Sequence, residues 1–224
     1  MSIDPSSIVY FQWGVVRITA TLVFTWVTML LLTVAGLLLT RNLTDENDMS
    51  KSQSILEATL ITMKNQIKSV SQQDPGKYLP FISTLFIFIL TATILSIIPG
   101  FHAPTGSLNT TIALSLYVFF AVPFYGIQSL GIKNYLKEYA KPSVVMLPFN
   151  IISEFSRIVS LAVRLYGNVM STSVIVIILL GVVPFFFPVV IQLFGILTGA
   201  IQAYIFAILA TVYIASATSE NQGG

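Results

Sequence analysis

The sequence predicts an all-α polytopic membrane protein: about five transmembrane helices plus one amphipathic surface helix, with the last two helices long and steeply tilted. Three observations predict it. The 224 residues are 55% hydrophobic and only 9% charged, with a mean hydropathy of +0.85, whereas a soluble domain carries about 25% charged residues. Apolar runs recur that are long enough to cross a hydrocarbon core about 30 Å thick. The charged residues gather in two segments, 41–78 and 132–142, that separate those runs. The whole chain, 1–224, therefore reads as a single membrane domain.

Residues 1–12 form a short polar-aromatic lead. With neither a basic n-region nor a small-residue cleavage site, the N-terminus does not read as a signal peptide. The first span runs from about 13 to 40, with Arg17 near its start, placed to snorkel to the headgroups. Residues 41–78 carry ten charged residues, from Arg41 to Lys77. Within them Ile55, Leu56, Thr59, Leu60, Met63 and Ile67 recur at steps of three and four, which predicts an amphipathic helix on the membrane surface or against a partner. Asp74-Pro75-Gly76 makes a turn. The second span is 79–98, and the loop after it holds His102, the single histidine, and no lysine or arginine. The third span, 109–131, opens on Asn109-Thr110-Thr111 as caps and pore-mouth polar groups and contains Pro123, a kink candidate. The fourth span is 145–182, and after Pro184 and Pro188 a fifth runs to about 218. These last two pair as a helical hairpin over 145–218; about 30 residues at 1.5 Å each exceed the bilayer core, so they must tilt or bend.

Lysine placement sets the topology. Arg41, Lys51, Lys64, Lys68, Lys77, Lys133, Lys137 and Lys141 all lie in the two charged segments, and the other connections hold none. By the positive-inside rule the segment 41–78 is inside, the lead and N-terminus are outside and the C-terminus is cytoplasmic.

Composition excludes several functions. With no cysteine there is no disulfide and no thiolate metal site. One histidine and nine carboxylates do not suit a metal-centred enzyme, and neither GxxxxGK[ST] nor GxGxxG occurs. No cofactor and no nucleic-acid partner are expected.

Within the fourth span, Ser153, Arg157, Ser160, Arg164, Asn168 and Ser171 fall on one helical face. An arginine near the bilayer centre costs about 2.5–3.5 kcal/mol on insertion scales, which implies a role or a partner. The serines fit an interhelical hydrogen-bond seam; Arg164 does not. Glu154 lies nearly three turns below it and is better placed for Arg157 at i+3. The other acids fall in the lead, the charged segments or the tail, so Arg164 faces water or another chain's carboxylate. In the last span Gly195, Gly199, Ala203, Ala207, Thr211 and Ala215 recur at steps of four, a stripe for close packing against the fourth span or a partner. Gln202 lies beside it, with Thr198 one turn away, and Arg164 is a candidate partner for Gln202.

The run SLAVRLYGN (160–168), followed by IQAYIFAILATVYIASA (201–217), resembles subunit a of F-type ATP synthases, as do PTGSLNTTIAL (104–114) and LPFN (147–150). The resemblance covers about residues 55–219. It implies a non-catalytic stator subunit, in a bacterial inner membrane, that forms two offset half-channels and passes H+ or Na+ to the carboxylates of a rotating c-ring. Peripheral-stalk b-type subunits and the ATPase head are implied as further partners. By the resemblance, the essential arginine falls on Arg164, its glutamine on Gln202 and the channel asparagine on Asn168, with Arg157, Ser160, Ser171, Ser173, Thr198 and Asn109 lining the half-channels. Many relatives carry an acid at Ser173 or Asn150 and an ionisable residue at Gly195; this chain does not, which by the resemblance suggests an atypical branch, with the sodium-pumping one a candidate. A stand-alone ion channel and a non-transporting scaffold remain the alternatives.

Overall fold

The structure, a computed structural model, describes residues 9–13, 16–40, 51–72, 75–98, 100–139, 147–183 and 186–218. The positions of Arg41, Asp45, Glu46, Asp48, Asp74 and Lys141 therefore lie outside the described residues. The chain opens on an antiparallel hairpin, β1 (Val9–Trp13) and β2 (Val16–Thr19), with Gln12 opposite Arg17 and Trp13 opposite Val16. This corrects the expected first span, which begins at α1 (Ala20–Thr40) and leaves Arg17 in a strand. The Val, Ile, Tyr, Phe and Trp residues of 8–19 suit a pleated ribbon better than a helix.

Helix α1 exposes Trp26, Leu30 and Leu37, side chains that suit an acyl-chain environment. Helix α2 (Lys51–Ser71) is the expected amphipathic element. Its apolar edge, Met63 and Ile67, packs on this chain's own Tyr78, Ile82, Ala207 and Ile214, so its dock is neither a second protein nor the bilayer alone. Tyr204 Oη donates to Gln66 Oε1 at 3.0 Å across the same contact. Helix α3 (Leu79–Leu95) is shorter than the expected 79–98, because Ile97 and Ile98 continue it with tighter i→i+3 bonds to Ile94 and Leu95.

After a single tight turn, Pro104–Gly106, helix α4 spans Leu108–Leu130 and accommodates Pro123 without ending. Extended Ser107 holds the cap position, so Asn109 lies in the first turn and is exposed, not the cap. Gly131 ends α4 at φ +79°, its N–H bonded to Ile127 O. A short helix the sequence did not announce, α5 (Ile132–Tyr139), then turns back. Its Tyr135 ring lies so close to Gly126 that any Cβ there would collide with it.

Helices α6 (Leu147–Val182, 36 residues) and α7 (Phe187–Thr218, 32 residues) form the long hairpin. At 1.5 Å per residue they measure about 54 and 48 Å, well beyond a core of about 30 Å. Helix α7 is the hub, packing on α2, α3, α4 and α6. Its small-residue stripe is used within the chain: Gly195 admits Thr172 of α6, Gly199 admits Thr93 of α3, and Ala203, Ala207, Thr211 and Ala215 are buried. The main core joins Leu85 and Ile89 of α3, Val118 of α4, Leu161 and Leu165 of α6, and Ala203 and Phe206 of α7. Among the described residues four helices are long and apolar enough to cross a membrane, and α3 is a shorter apolar helix beside them. One end of the bundle carries Lys77 and Lys133; the opposite end, where Phe101–Ser107 and the start of α1 lie, carries Arg17 of β2 and no lysine among the described residues.

Candidate functional site: an open polar seam on the long hairpin

The hairpin's own contacts set its register. Near the basic end the Arg157 guanidinium lies 4.9 Å from the Tyr213 ring centre. Toward the other end Thr172 meets Gly195. Arg164 falls about midway between these contacts, at the level of Gln202 to within about one helical turn. The Leu161, Leu165 and Ala203 side chains pack together at that level.

The two side chains nevertheless point apart. Arg164 is exposed and, among the described residues, has no hydrogen bond and no ion pair. Gln202 is 6% exposed, and its Nε2 has no partner. The expected Arg164–Gln202 bond is therefore not formed. Close packing of Gly199 on Thr93 fixes the rotation of α7 and turns Gln202 toward the core, while the α6 polar face opens outward. A buried amide hydrogen without an acceptor costs about 1–3 kcal/mol, a cost that a water accepting from it would remove.

Toward the basic end, Arg157 Nη1 donates to Glu154 Oε1 at 2.8 Å, the expected i,i+3 pair. The pair borders a polar cavity of about 190 Å³ lined by Tyr135, Asn150, Ser153, Glu154, Arg157 and Ser216. That volume holds several waters, each about 30 Å³ in the liquid. Ser160 lies exposed one turn further along α6. The sequence does not single out Tyr135 or Ser216: α5 is too short to show a period, and Ser216, though inside the 201–217 run, lies off its small-residue stripe.

Toward the Phe101–Ser107 end the seam is hydroxylic. Thr172 Oγ1 donates to Asn168 O at 3.1 Å, Ser173 Oγ to Val169 O at 2.9 Å, and Thr198 Oγ1 to Phe194 O and Gly195 O, both at 3.1 Å. A hydroxyl that spends its proton on a backbone carbonyl keeps lone pairs free, so it accepts from water or ligates a cation. Asn168 is half-buried and Ser171 exposed on the same side. Asn109 stands apart, on α4. Among the described residues, no group of three or more His, Asp or Glu side chains could hold a metal.

These features define a class: a polytopic membrane protein that gathers its polar groups, one bare arginine among them, on the open face of two over-long helices. The sequence matches a family described as ATP synthase A chain over residues 22–215. It is 54% identical to ATP synthase subunit a 1 of Crocosphaera subtropica, over 99% of this chain and 96% of that protein. It is 53% identical to ATP synthase subunit a 2 of Acaryochloris marina, over 99% and 95%, and 51% identical to ATP synthase subunit a of Albidiferax ferrireducens, over 97% and 94%. The chain belongs to the ATP synthase A chain family.

Proposed function

We propose that this chain is the stator subunit of a rotary ATP synthase, passing H+ or Na+ to and from the carboxylates of a c-ring that turns against the α6–α7 seam. It catalyses no bond change itself. Family membership supports the assignment, and one observation carries the mechanism: Arg164 stands open at mid-length of α6, with no partner among the described residues. A ring carboxylate crosses lipid neutral, because a bare charge there is costly. Opposite Arg164 the cation favours the ionised form, so the bound ion leaves. The carboxylate reloads from the other half-channel, and each elementary charge driven across supplies about 2.3 kcal/mol per 100 mV. Arg164 also repels cations from the direct route between the half-channels.

In this reading the polar cavity at Glu154 and Arg157 is the cytoplasmic vestibule. Arg157 and Ser160 line the inner half-channel; Asn168, Ser171, Ser173, Thr198 and Asn109 serve the outer one. The complex sits in a bacterial cell membrane with the chain's N-terminus outside, anchored by b-type stalk subunits and reaching the ATPase head through the assembly. The test is Arg164→Ala in the assembled complex. Ion-coupled ATP synthesis is expected to vanish while ring and head remain attached; synthesis at the wild-type rate would sink the reading. Hydroxyls and amides serve H+ and Na+ alike, so the ion is read at the ring: protection of its carboxylate from a carbodiimide by sodium assigns Na+, and no protection assigns H+.

A further inference from the structure

We propose that the groove between α4 and α6 is a binding site for one acyl chain of an anionic glycerophospholipid, whose phosphate sits at the basic end of the bundle. The proposal goes beyond the stator reading, because the groove lies on the far side of α6 from Arg164. Phe155, on its wall, precedes Arg164 by nine residues, which at about 100° per residue is half a turn round the helix. A ring seated on the Arg164 face leaves this groove open.

The groove measures about 850 Å³, inside the range of about 300–1,000 Å³ common to small-molecule sites. Ile158 and Ala162 of α6 are buried at its floor, and Leu108, Leu116, Phe155 and Val163 stand exposed along its walls. All its lining residues except Tyr135 and Glu154 are apolar. Apolar cavities stay dry, and an empty one leaves its walls without dispersion partners, so the occupant is hydrocarbon.

Shape selects a chain over a helix. From Leu108 to Pro123 the α4 wall is about 22 Å long, and from Ile151 to Val163 the α6 wall is about 18 Å long. The volume spread over that length gives a cross-section of about 40 Å², whereas a helix about 10 Å across needs about 80 Å². An acyl chain spans half of a core about 30 Å thick, so one chain fits the length.

Polarity sets the direction. Tyr135 and Glu154 both lie at the end nearest Lys133, so the groove is apolar along its length and polar at one end, as a lipid is. Glu154 is paired with Arg157 at 2.8 Å and brings no net charge. Helix α5, which supplies Tyr135, exposes Lys133, and Lys137 and Lys141 follow in the sequence against one acid, Glu138. Basic pockets between membrane helices recognise anionic headgroups.

The test is photolabelling of the assembled complex in phosphatidylcholine vesicles that contain a little phosphatidylglycerol with a mid-chain diazirine. Adducts are mapped to peptides by mass spectrometry. Residues 108–123 and 151–163 are expected to be labelled several-fold more than α1, whose exposed Trp26, Leu30 and Leu37 serve as the bulk-lipid reference. Labelling no stronger than on α1 would overturn the site. The same probe on phosphatidylcholine is expected to label the groove several-fold less; equal labelling overturns the anionic headgroup. Leu116→Trp places an indole in the groove and is expected to cut its adducts several-fold, and undiminished labelling would overturn the assignment. If Leu116→Trp fails to assemble, the wild-type comparison with α1 decides alone. Arg164→Ala leaves groove labelling unchanged, so the two readings fail separately.

Discussion

At the residue scale, the guanidinium of Arg164 does what a lysine ammonium cannot. In the proposed stator cycle it stands without a carboxylate of its own for part of every ring step, and there arginine keeps its proton whereas lysine gives it up more readily when desolvated. Arg164→Lys is therefore expected to assemble and to work at acidic pH, then to lose coupling and gain passive leak as pH rises through the lowered ammonium pKa. ATP-driven pumping and leak measured across pH check this; a flat profile equal to wild type contradicts it. Arg157 is different, since it is held twice, by Glu154 and by the Tyr213 ring. Its side chain is 38% exposed, so the ion pair contributes about 0–1 kcal/mol. Glu154→Gln should shift the melting temperature of the purified complex little while lowering ion flux through the vestibule it lines. The Glu154–Arg157 pair was legible in the sequence because i,i+3 spacing on a helix nearly dictates it. The separation of Gln202 from Arg164 was not. Both lie at one depth, which spacing shows, but which way Gln202 faces depends on how α7 is rotated by its neighbours.

At the element scale, that rotation is set by two glycines. Gly199 admits Thr93 and Gly195 admits Thr172 so closely that a Cβ at either would collide with the threonine methyl. Gly199→Ala is expected to destabilise the subunit by about 1–3 kcal/mol, as overpacking does. Thr93→Ser removes the methyl and keeps the hydroxyl, and should restore the yield of assembled complex; no rescue would refute the contact. The same geometry explains why Gly195 carries no ionisable side chain: Thr172 occupies the space one would need. The over-long hairpin, the amphipathic α2 and the small-residue stripe were all readable, since each repeats over several turns. What escaped was short. The β1–β2 hairpin and the eight-residue α5 offer too few periods to separate strand from helix or helix from loop. The hydroxyls of Ser107, Thr111 and Ser115 stand at steps of four in the sequence, but only burial tells an inward hydroxyl from one at a helix surface.

At the scale of the whole molecule, the chain divides its polar groups by their degree of solvation. Lysines sit at one end, hydroxyls with Arg17 at the other, and between them Arg164 stands, without a partner among the described residues, on the open side of α6. Such an arrangement has direction, and the direction can be measured. Anionic lipid and the insertion machinery hold lysine-rich segments on the cytoplasmic side, so the end bearing Lys77 and Lys133 should face the cytoplasm and the Phe101–Ser107 end should face outward. Because the sequence lacks cysteine, Lys133→Cys and Asn109→Cys, both at exposed positions, each supply one thiol on an otherwise unreactive chain. A membrane-impermeant maleimide should label Asn109→Cys in intact cells and Lys133→Cys only after the membrane is opened. The reverse pattern would invert the molecule and place the Glu154–Arg157 vestibule outside, where ions would enter at the pole now taken for their exit. Labelling of both from one side would mean that α4, which alone joins these two positions, does not cross the bilayer, and the two-sided access on which rotation depends would have no structural basis.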